Sequence, residues 1–142
     1  MNTDVLRKKL KEGLNCSQTL LLYFAERYGL DRRQAKAIAE AFGGGMAQGD
    51  ICGAVTGAYM VLGLEYGSGE EDSRALTKEK VKIFNQQFIE RMGSLKCEDL
   101  LGANISTKEG KETVKSDNRM REICPKAILA AIEILEEMME IQ

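Results

Sequence analysis

The chain has 142 residues, 44% of them apolar, which is the length of one domain with a sizeable core. Its 20 basic and 22 acidic residues leave a net charge of −2, so the composition gives no sign of a nucleic-acid-binding surface. Four cysteines and no histidine exclude Ser-His-Asp and Cys-His catalysis and any metal site with imidazole ligands.

The sequence carries no apolar run of the roughly 18 residues that a membrane-spanning helix needs, and residues 1–6 lack the apolar stretch of a signal peptide. We therefore predict a cytoplasmic protein without a membrane span, in a compartment that keeps thiols reduced. The basic stretch at residues 7–11 is interpreted as the solvent-facing side of a helix rather than a binding patch.

Long runs of helix-forming residues, one proline (Pro125) and the lack of strand-like alternation predict an all-α fold. We expect a single-domain helical bundle of about five to seven helices over residues 1–142. Residues 3–12 form the first predicted helix, which Gly13 ends, and residues 16–28 form a second that is apolar on every side and therefore central. Further helices are predicted over residues 31–42, 51–66, 73–92 and 125–140, with short turns at residues 97–101 and 107–115.

The candidate redox residues are the four cysteines, among which there is no Cys-x-x-Cys pair: Cys16, Cys52, Cys97 and Cys124. A helix-start signal lies beside each of them. The positive end of a helix stabilises a thiolate and lowers the pKa of a thiol, so we predict that the cysteines form one reactive site. Cys16 and Cys52 are predicted in the first turn of a helix, after the N-caps Asn15 and Asp50. Cys97 is predicted at the third position after the N-cap Ser94. Cys124 is predicted as the N-cap itself, directly before Pro125.

A glycine-rich stretch precedes the second cysteine and could form a nest of N–H groups for an anion or cofactor, or simply a helix end and connector. The next helix carries a small-residue face at Gly53 and Gly57. That face suits the close approach of another helix, a cofactor or a second copy of the chain in a homo-oligomer. The candidate cofactor-binding residues are Gly43, Gly44, Gly45 and Gly53.

A set of short segments forms a recognisable pattern: Asn15-Cys16-Ser17-Gln18, Phe42-Gly43-Gly44-Gly45-Met46, Cys52-Gly53-Ala54-Val55-Thr56-Gly57-Ala58, Gly93-Ser94, Leu100-Leu101-Gly102, Ser106-Thr107-Lys108-Glu109-Gly110 and Cys124-Pro125. In these segments the chain resembles the C_GCAxxG_C_C family, bacterial and archaeal proteins with four characteristic cysteines. The resemblance runs from about residue 13 to 137. It implies a helical fold, a redox or iron–sulphur role for the four cysteines, and genes near transporters or oxidoreductases. Two positions depart from the family's usual pattern: Ala47-Gln48 replaces Gly-Arg, which removes a cation that could stabilise a thiolate, and Asn104 replaces Asp.

Three functions are compatible with these observations. The first is a redox protein, for instance a component of an oxidoreductase, whose paired thiols exchange disulfides or electrons with a partner protein. The second is a metal-binding protein in which the four cysteines hold an iron–sulphur cluster or zinc. The third is a helical partner-binding module in which the cysteines have no chemical role.

Overall fold

The structure is a computed structural model that describes residues 1–141, and this part of the chain contains eight α-helices. The predicted all-α class is confirmed. The predicted five to seven helices are too few, because both segments predicted as short turns form helices. The helices are α1 (Thr3–Lys11), α2 (Cys16–Ala25), α3 (Arg32–Ala39), α4 (Gly53–Tyr66), α5 (Arg74–Met92), α6 (Cys97–Leu101), α7 (Lys108–Ser116) and α8 (Arg119–Met138).

The centre of the molecule is formed by α2, α4 and α8, which contact one another. The prediction of a buried central helix at α2 is confirmed, since almost every residue of α2 is buried. The predicted N-cap Asn15 is confirmed and forms a capping box: the Asn15 side chain accepts from the Gln18 N–H, and the Gln18 side chain accepts from the Asn15 N–H. This box fixes where α2 begins and therefore where its first residue, Cys16, lies.

The small-residue face of α4 packs against α2 of the same chain. A Cβ atom added at Gly57 would lie 2.9 Å from the Leu20 Cβ and 3.0 Å from the Ser17 carbonyl oxygen. The two helices can approach this closely only because Gly57 has no side chain. Of the three occupants considered for the face at Gly53 and Gly57, the structure shows another helix, since α2 of the same chain covers this face.

The remaining long helices complete the main core. In α5, Phe84 and Phe88 stack with their ring centroids 5.8 Å apart, and both side chains are fully buried. Leu6 of α1 is also fully buried, and α1 packs chiefly along α8. None of the helices within residues 1–141 combines the length and the apolar composition that a membrane crossing requires.

A second, smaller apolar cluster contains α6 and α7, the two helices predicted as turns. Cys97, Leu101 and Val114 are its buried members, and Ile123 of α8 packs against them. Helices of this length have little stability in isolation, and it is their packing in the folded protein that stabilises them. The local sequence therefore predicts α6 and α7 only weakly.

Helix α8 begins six residues before the predicted start at Pro125. Its N-cap is Asn118, in the left-handed conformation at φ 53°, and Pro125 lies inside the helix. A proline within a helix has no N–H to offer the carbonyl group four residues earlier, here that of Arg121. The Arg7 side chain of α1 takes that place, since its Nε donates to the Arg121 carbonyl at 3.1 Å. This contact compensates for the proline and attaches α1 to α8.

Candidate functional site

All four cysteines lie in the wall of one cavity of about 740 Å³. The other lining residues come from α1, the segment before α2, the glycine-rich stretch, α4, α6 and the first half of α8. Ile105, in the loop between α6 and α7, also lines the cavity. Cys52 and Cys97 are buried, whereas Cys16 and Cys124 are half-buried. The fold thus brings to one place residues that are widely separated in the sequence.

An isolated antiparallel bridge between Ile51 and Lys96 positions the two buried cysteines. The Cys52 N–H donates to the Leu95 carbonyl at 2.8 Å, and the Cys97 N–H donates to the Asp50 carbonyl at 2.7 Å. Each cysteine directly follows a bridge residue, so one pair of backbone segments holds both thiols. We call Cys52 and Cys97 the inner pair.

Cys16 lies against the start of α4. A Cβ atom added at Gly53 would lie 3.0 Å from the Cys16 Cβ and 2.9 Å from the Ser17 nitrogen. Gly53 therefore makes room for Cys16 at the cavity wall. We call Cys16 and Cys124, the two half-buried cysteines, the outer pair.

The structure corrects the predicted helix positions of three cysteines. Cys52 is itself the N-cap of α4, and Cys97 is the first residue of α6, after Lys96. Cys124 lies in the second turn of α8 rather than at a helix start, because that helix begins at Arg119. Only for Cys16 is the predicted first-turn position confirmed.

Burial has the largest effect on the pKa values of the inner pair. It raises the pKa of Cys52 to about 12, although the backbone N–H groups of Ala54 and Val55 act in the opposite direction. Burial also raises the pKa of Cys97 to about 11, and the negative charges of Cys124 and Glu98 add to the rise. The expectation that a helix start lowers the pKa of these thiols is wrong, since desolvation outweighs the helix end.

The outer pair interacts directly. The Cys16 thiol stabilises the Cys124 thiolate, which lowers the pKa of Cys124 against the opposing effect of its burial. The same interaction is the main reason why the pKa of Cys16 is raised well above its usual range, followed by burial and by the charges of the other three thiols. Among the four cysteines, only Cys124 has a lowered pKa.

The glycine-rich stretch forms a left-handed turn beside the cavity. Gly44, Gly45, Met46 and Ala47 all have φ between 59° and 63°, and the Asp50 N–H closes the turn on the Gly45 carbonyl at 3.0 Å. The left-handed conformation costs roughly 1–2 kcal/mol for each non-glycine residue. Three of the predicted cofactor-binding glycines, Gly44, Gly45 and Gly53, line the cavity. Gly43 does not; it lies against the Asn15 side chain.

Asn104 ties this turn to the loop before α7. Its side-chain N–H donates to the Gln48 carbonyl at 3.2 Å, while its Oδ1 accepts from the N–H and hydroxyl groups of Ser106 at 2.9 and 2.6 Å. Gly49 leaves space for this side chain, since a Cβ there would lie 2.7 Å from the Asn104 Cγ. An ionised aspartate could not donate to Gln48, so the asparagine has a structural role here.

The cavity is also lined by basic residues that the sequence did not predict there. Arg7, Lys8 and Lys11 of α1 and Arg121 of α8 belong to its lining. The basic stretch at residues 7–11 was the available signal, but a solvated helix face has the same composition. Only the packing of α1 across α8 shows that these side chains border the thiols.

The cysteines do not form a ready metal site. Within residues 1–141, no three cysteine, aspartate or glutamate side chains come together as ligands for a metal ion. The four thiols border one cavity, but this arrangement does not fit a zinc or iron–sulphur centre without movement of the side chains.

The family comparison covers nearly the whole chain and includes all four cysteines. The model of the family described as "Putative redox-active protein (C_GCAxxG_C_C)" matches residues 14–138. No curated protein and no solved structure matches the chain. With its helical fold and its four cysteines around one cavity, the chain belongs to the C_GCAxxG_C_C family.

Proposed function

We propose that this protein carries out thiol–disulfide exchange and that the outer pair, Cys16 and Cys124, is its working dithiol. The observation that carries the proposal is the pairing of Cys16 and Cys124 in the wall of one cavity, where the Cys16 thiol lowers the pKa of Cys124. Disulfide exchange needs a thiolate that attacks and a second thiol close enough to resolve the mixed disulfide. The outer pair meets both needs.

The difference between the two pairs supports this assignment. At neutral pH a thiol with a pKa of about 11, such as Cys97, is ionised in only about one molecule in ten thousand. Cys52, with a pKa of about 12, is ionised less still. Cys124 is also half-buried rather than buried, so a disulfide that enters the cavity reaches it more readily.

The exchange proceeds in two steps. The Cys124 thiolate attacks one sulphur of a substrate disulfide and forms a mixed disulfide, and the departing thiolate takes up a proton. Cys124 then carries no negative charge, so the pKa of Cys16 falls towards its usual range. Cys16 loses its proton and attacks the Cys124 sulphur, which releases the second substrate thiol. Two electrons pass from the protein to the substrate, and the protein is left with a Cys16–Cys124 disulfide.

A reductant is needed to return the pair to its dithiol form, and it is either a small thiol or a redox partner protein whose reactive cysteine can enter the cavity. A dithiol that cycles in this way suits a compartment in which thiols are kept reduced, in agreement with the cytoplasmic location that we propose. In this role the protein is one component of an oxidoreductase system.

The test uses anaerobically reduced protein and a limiting amount of a small disulfide. In wild-type protein, intact mass and peptide mapping should find a Cys16–Cys124 disulfide as the first product. The Cys16→Ser variant should stop at a mixed disulfide on Cys124, whereas Cys124→Ser should react more slowly by about tenfold or more. Cys97→Ser is the matched control and should behave as wild type. A first disulfide between Cys52 and Cys97, or equal rates for all variants, would contradict the proposal.

A four-cysteine metal centre is the second candidate, because all four thiols border one cavity. It would require the thiols to converge beyond their present positions. Zinc, iron and sulphide analysis of anaerobically purified protein distinguishes the two. Stoichiometric metal that is lost in each of the four single Cys→Ser variants would favour this second candidate.

A further inference from the structure

The thiol cavity has a positively charged rim. Arg7, Lys8 and Lys11 of α1 and Arg121 of α8 line the cavity. Lys8, Lys11 and Arg121 are exposed, so we place them at the mouth of the cavity, on the solvent side of the thiols. Among the described residues that line the cavity, Asp4 is the one acidic residue, and its carboxylate is paired with Arg7 at 2.8 Å. Within residues 1–141, Lys8, Lys11 and Arg121 form no ion pair with the protein. Three positive charges are therefore available to a ligand.

The walls of the cavity are apolar. Apart from the thiols, they consist mainly of aliphatic side chains, among them Leu10, Leu14, Leu100, Ile105, Met120 and Ile123. A volume of about 740 Å³ falls in the range of cavities that hold small organic molecules. The thiols belong to the wall of this cavity, so a sulphur atom must enter it to react with them.

Resting on the proposed thiol–disulfide function, we infer that the substrate is a small disulfide that carries negative charge on an otherwise apolar body. The apolar part fills the cavity beside the outer pair, and the anionic groups lie at its mouth with Lys8, Lys11 and Arg121. Opposite charges at a cavity mouth concentrate the substrate and raise its rate of association. The disulfide of a folded protein is less suited to this site, because the reactive sulphurs lie inside the cavity.

The reaction balances without a further reactant. One symmetric disulfide, R–S–S–R, and one protein dithiol give two R–SH molecules and the Cys16–Cys124 disulfide. The substrate S–S bond breaks, the protein S–S bond forms, and the two thiol protons of the protein end on the released thiols. The anionic groups of R take no part in the bond changes, so they affect binding and approach alone.

Two aromatic disulfides of different charge test the inference. Dithiobis(nitrobenzoate) is dianionic, and dithiodipyridine is neutral; the thiol released by each is followed by its absorbance. The charge variant is Lys8→Gln/Lys11→Gln/Arg121→Gln, which leaves every cysteine and Arg7 in place. The matched control is Lys78→Gln/Lys82→Gln, which removes two cations of α5 that do not line this cavity. Thermal unfolding of each variant checks that the fold is kept.

The charge variant should react about tenfold more slowly than wild type with the dianionic disulfide and less than twofold more slowly with the neutral one. The α5 variant should match wild type with both. Added salt should slow the dianionic reagent with wild-type protein and have little effect on the charge variant. Equal slowing of both reagents, or no slowing of either, would overturn the charge preference while leaving the exchange reaction in place. Failure of both reagents to oxidise the wild-type outer pair would instead refute the proposed function, and the inference with it.

Discussion

The contact between α2 and α4 depends on the missing side chain of Gly57, and the substitution Gly57→Ala tests this dependence. An added Cβ would lie 2.9 Å from the Leu20 Cβ and 3.0 Å from the Ser17 carbonyl oxygen. Because that oxygen belongs to the backbone of α2, it cannot rotate away. The whole of α2 would have to shift, and with it Cys16, the residue before Ser17.

The expected loss of stability follows from two opposing effects. Replacing glycine by alanine inside a helix stabilises it by about 1 kcal/mol. Forcing extra volume into a packed core costs about 1–3 kcal/mol, and the backbone contact points to the upper end. The free energy of unfolding should therefore fall by about 2 kcal/mol. Gly63 is the matched control in the same helix, since nothing lies within 4 Å of a Cβ added there. Gly63→Ala should be stabilising by about 0.5–1 kcal/mol.

The measurement is urea unfolding of the two variants and the wild type, followed by far-ultraviolet circular dichroism under reducing conditions. The midpoints should rank Gly63→Ala above wild type and wild type above Gly57→Ala. Gly57→Ala should also oxidise its outer pair more slowly, because the position of Cys16 depends on α2. If the two alanine variants were equally stable, the close approach of α2 and α4 at Gly57 would be refuted.

Three further predictions concern the thiols and the glycine-rich turn. After treatment with iodoacetamide at neutral pH, peptide mapping should find Cys124 alkylated first and Cys52 last. The reason is that the pKa of Cys124 is lowered, whereas burial raises the pKa of Cys52 to about 12. Early labelling of Cys52 would contradict this order. The raised pKa of the inner pair means that the folded protein holds these thiol protons more tightly than the unfolded chain. The resulting stability is present below about pH 9 and is lost as the pH rises towards 11 and 12. When the free energy of unfolding is measured at about pH 8 and about pH 10, wild type should therefore lose about 1 kcal/mol more than Cys52→Ala between the two. Asn104→Asp should lower the free energy of unfolding by about 0.5–1 kcal/mol at neutral pH, because the N–H donated to the Gln48 carbonyl is lost; equal stability would show that this hydrogen bond contributes nothing.

Much of the fold could be predicted from local signals. The Asn15–Gln18 capping box fixes the start of α2, and Gly29, at φ 63°, ends the short helical turn that follows α2. The apolar run of α2 identifies the central helix, because a helix without a polar face has to be buried. Such signals involve residues three or four positions apart, and they are readable without knowledge of the fold.

The geometry of the site depends on contacts between residues that are far apart in the sequence, and local sequence patterns do not predict such contacts. The bridge between Ile51 and Lys96 joins segments that are separated by the whole of α4 and α5. The Arg7 contact with the Arg121 carbonyl explains why Pro125 is tolerated within α8, but it spans most of the chain. Because proline favours the first turn of a helix, Pro125 predicts a helix start at Cys124, whereas the lowered pKa of Cys124 comes from its interaction with Cys16.

Helix α1 contributes Arg7, Lys8 and Lys11 to the cavity but ends before residue 14, where the family match begins. The four cysteines lie inside the matched region. Of the three cations in the charge preference that we propose, Lys8 and Lys11 lie outside the matched region and Arg121 lies inside it. Leu6 is buried in the core and Arg7 donates to the Arg121 carbonyl, so α1 is also a part of the fold. The charge at the cavity can therefore be changed by single substitutions at the exposed lysines of α1, with every thiol left untouched, but not by exchange of the whole helix.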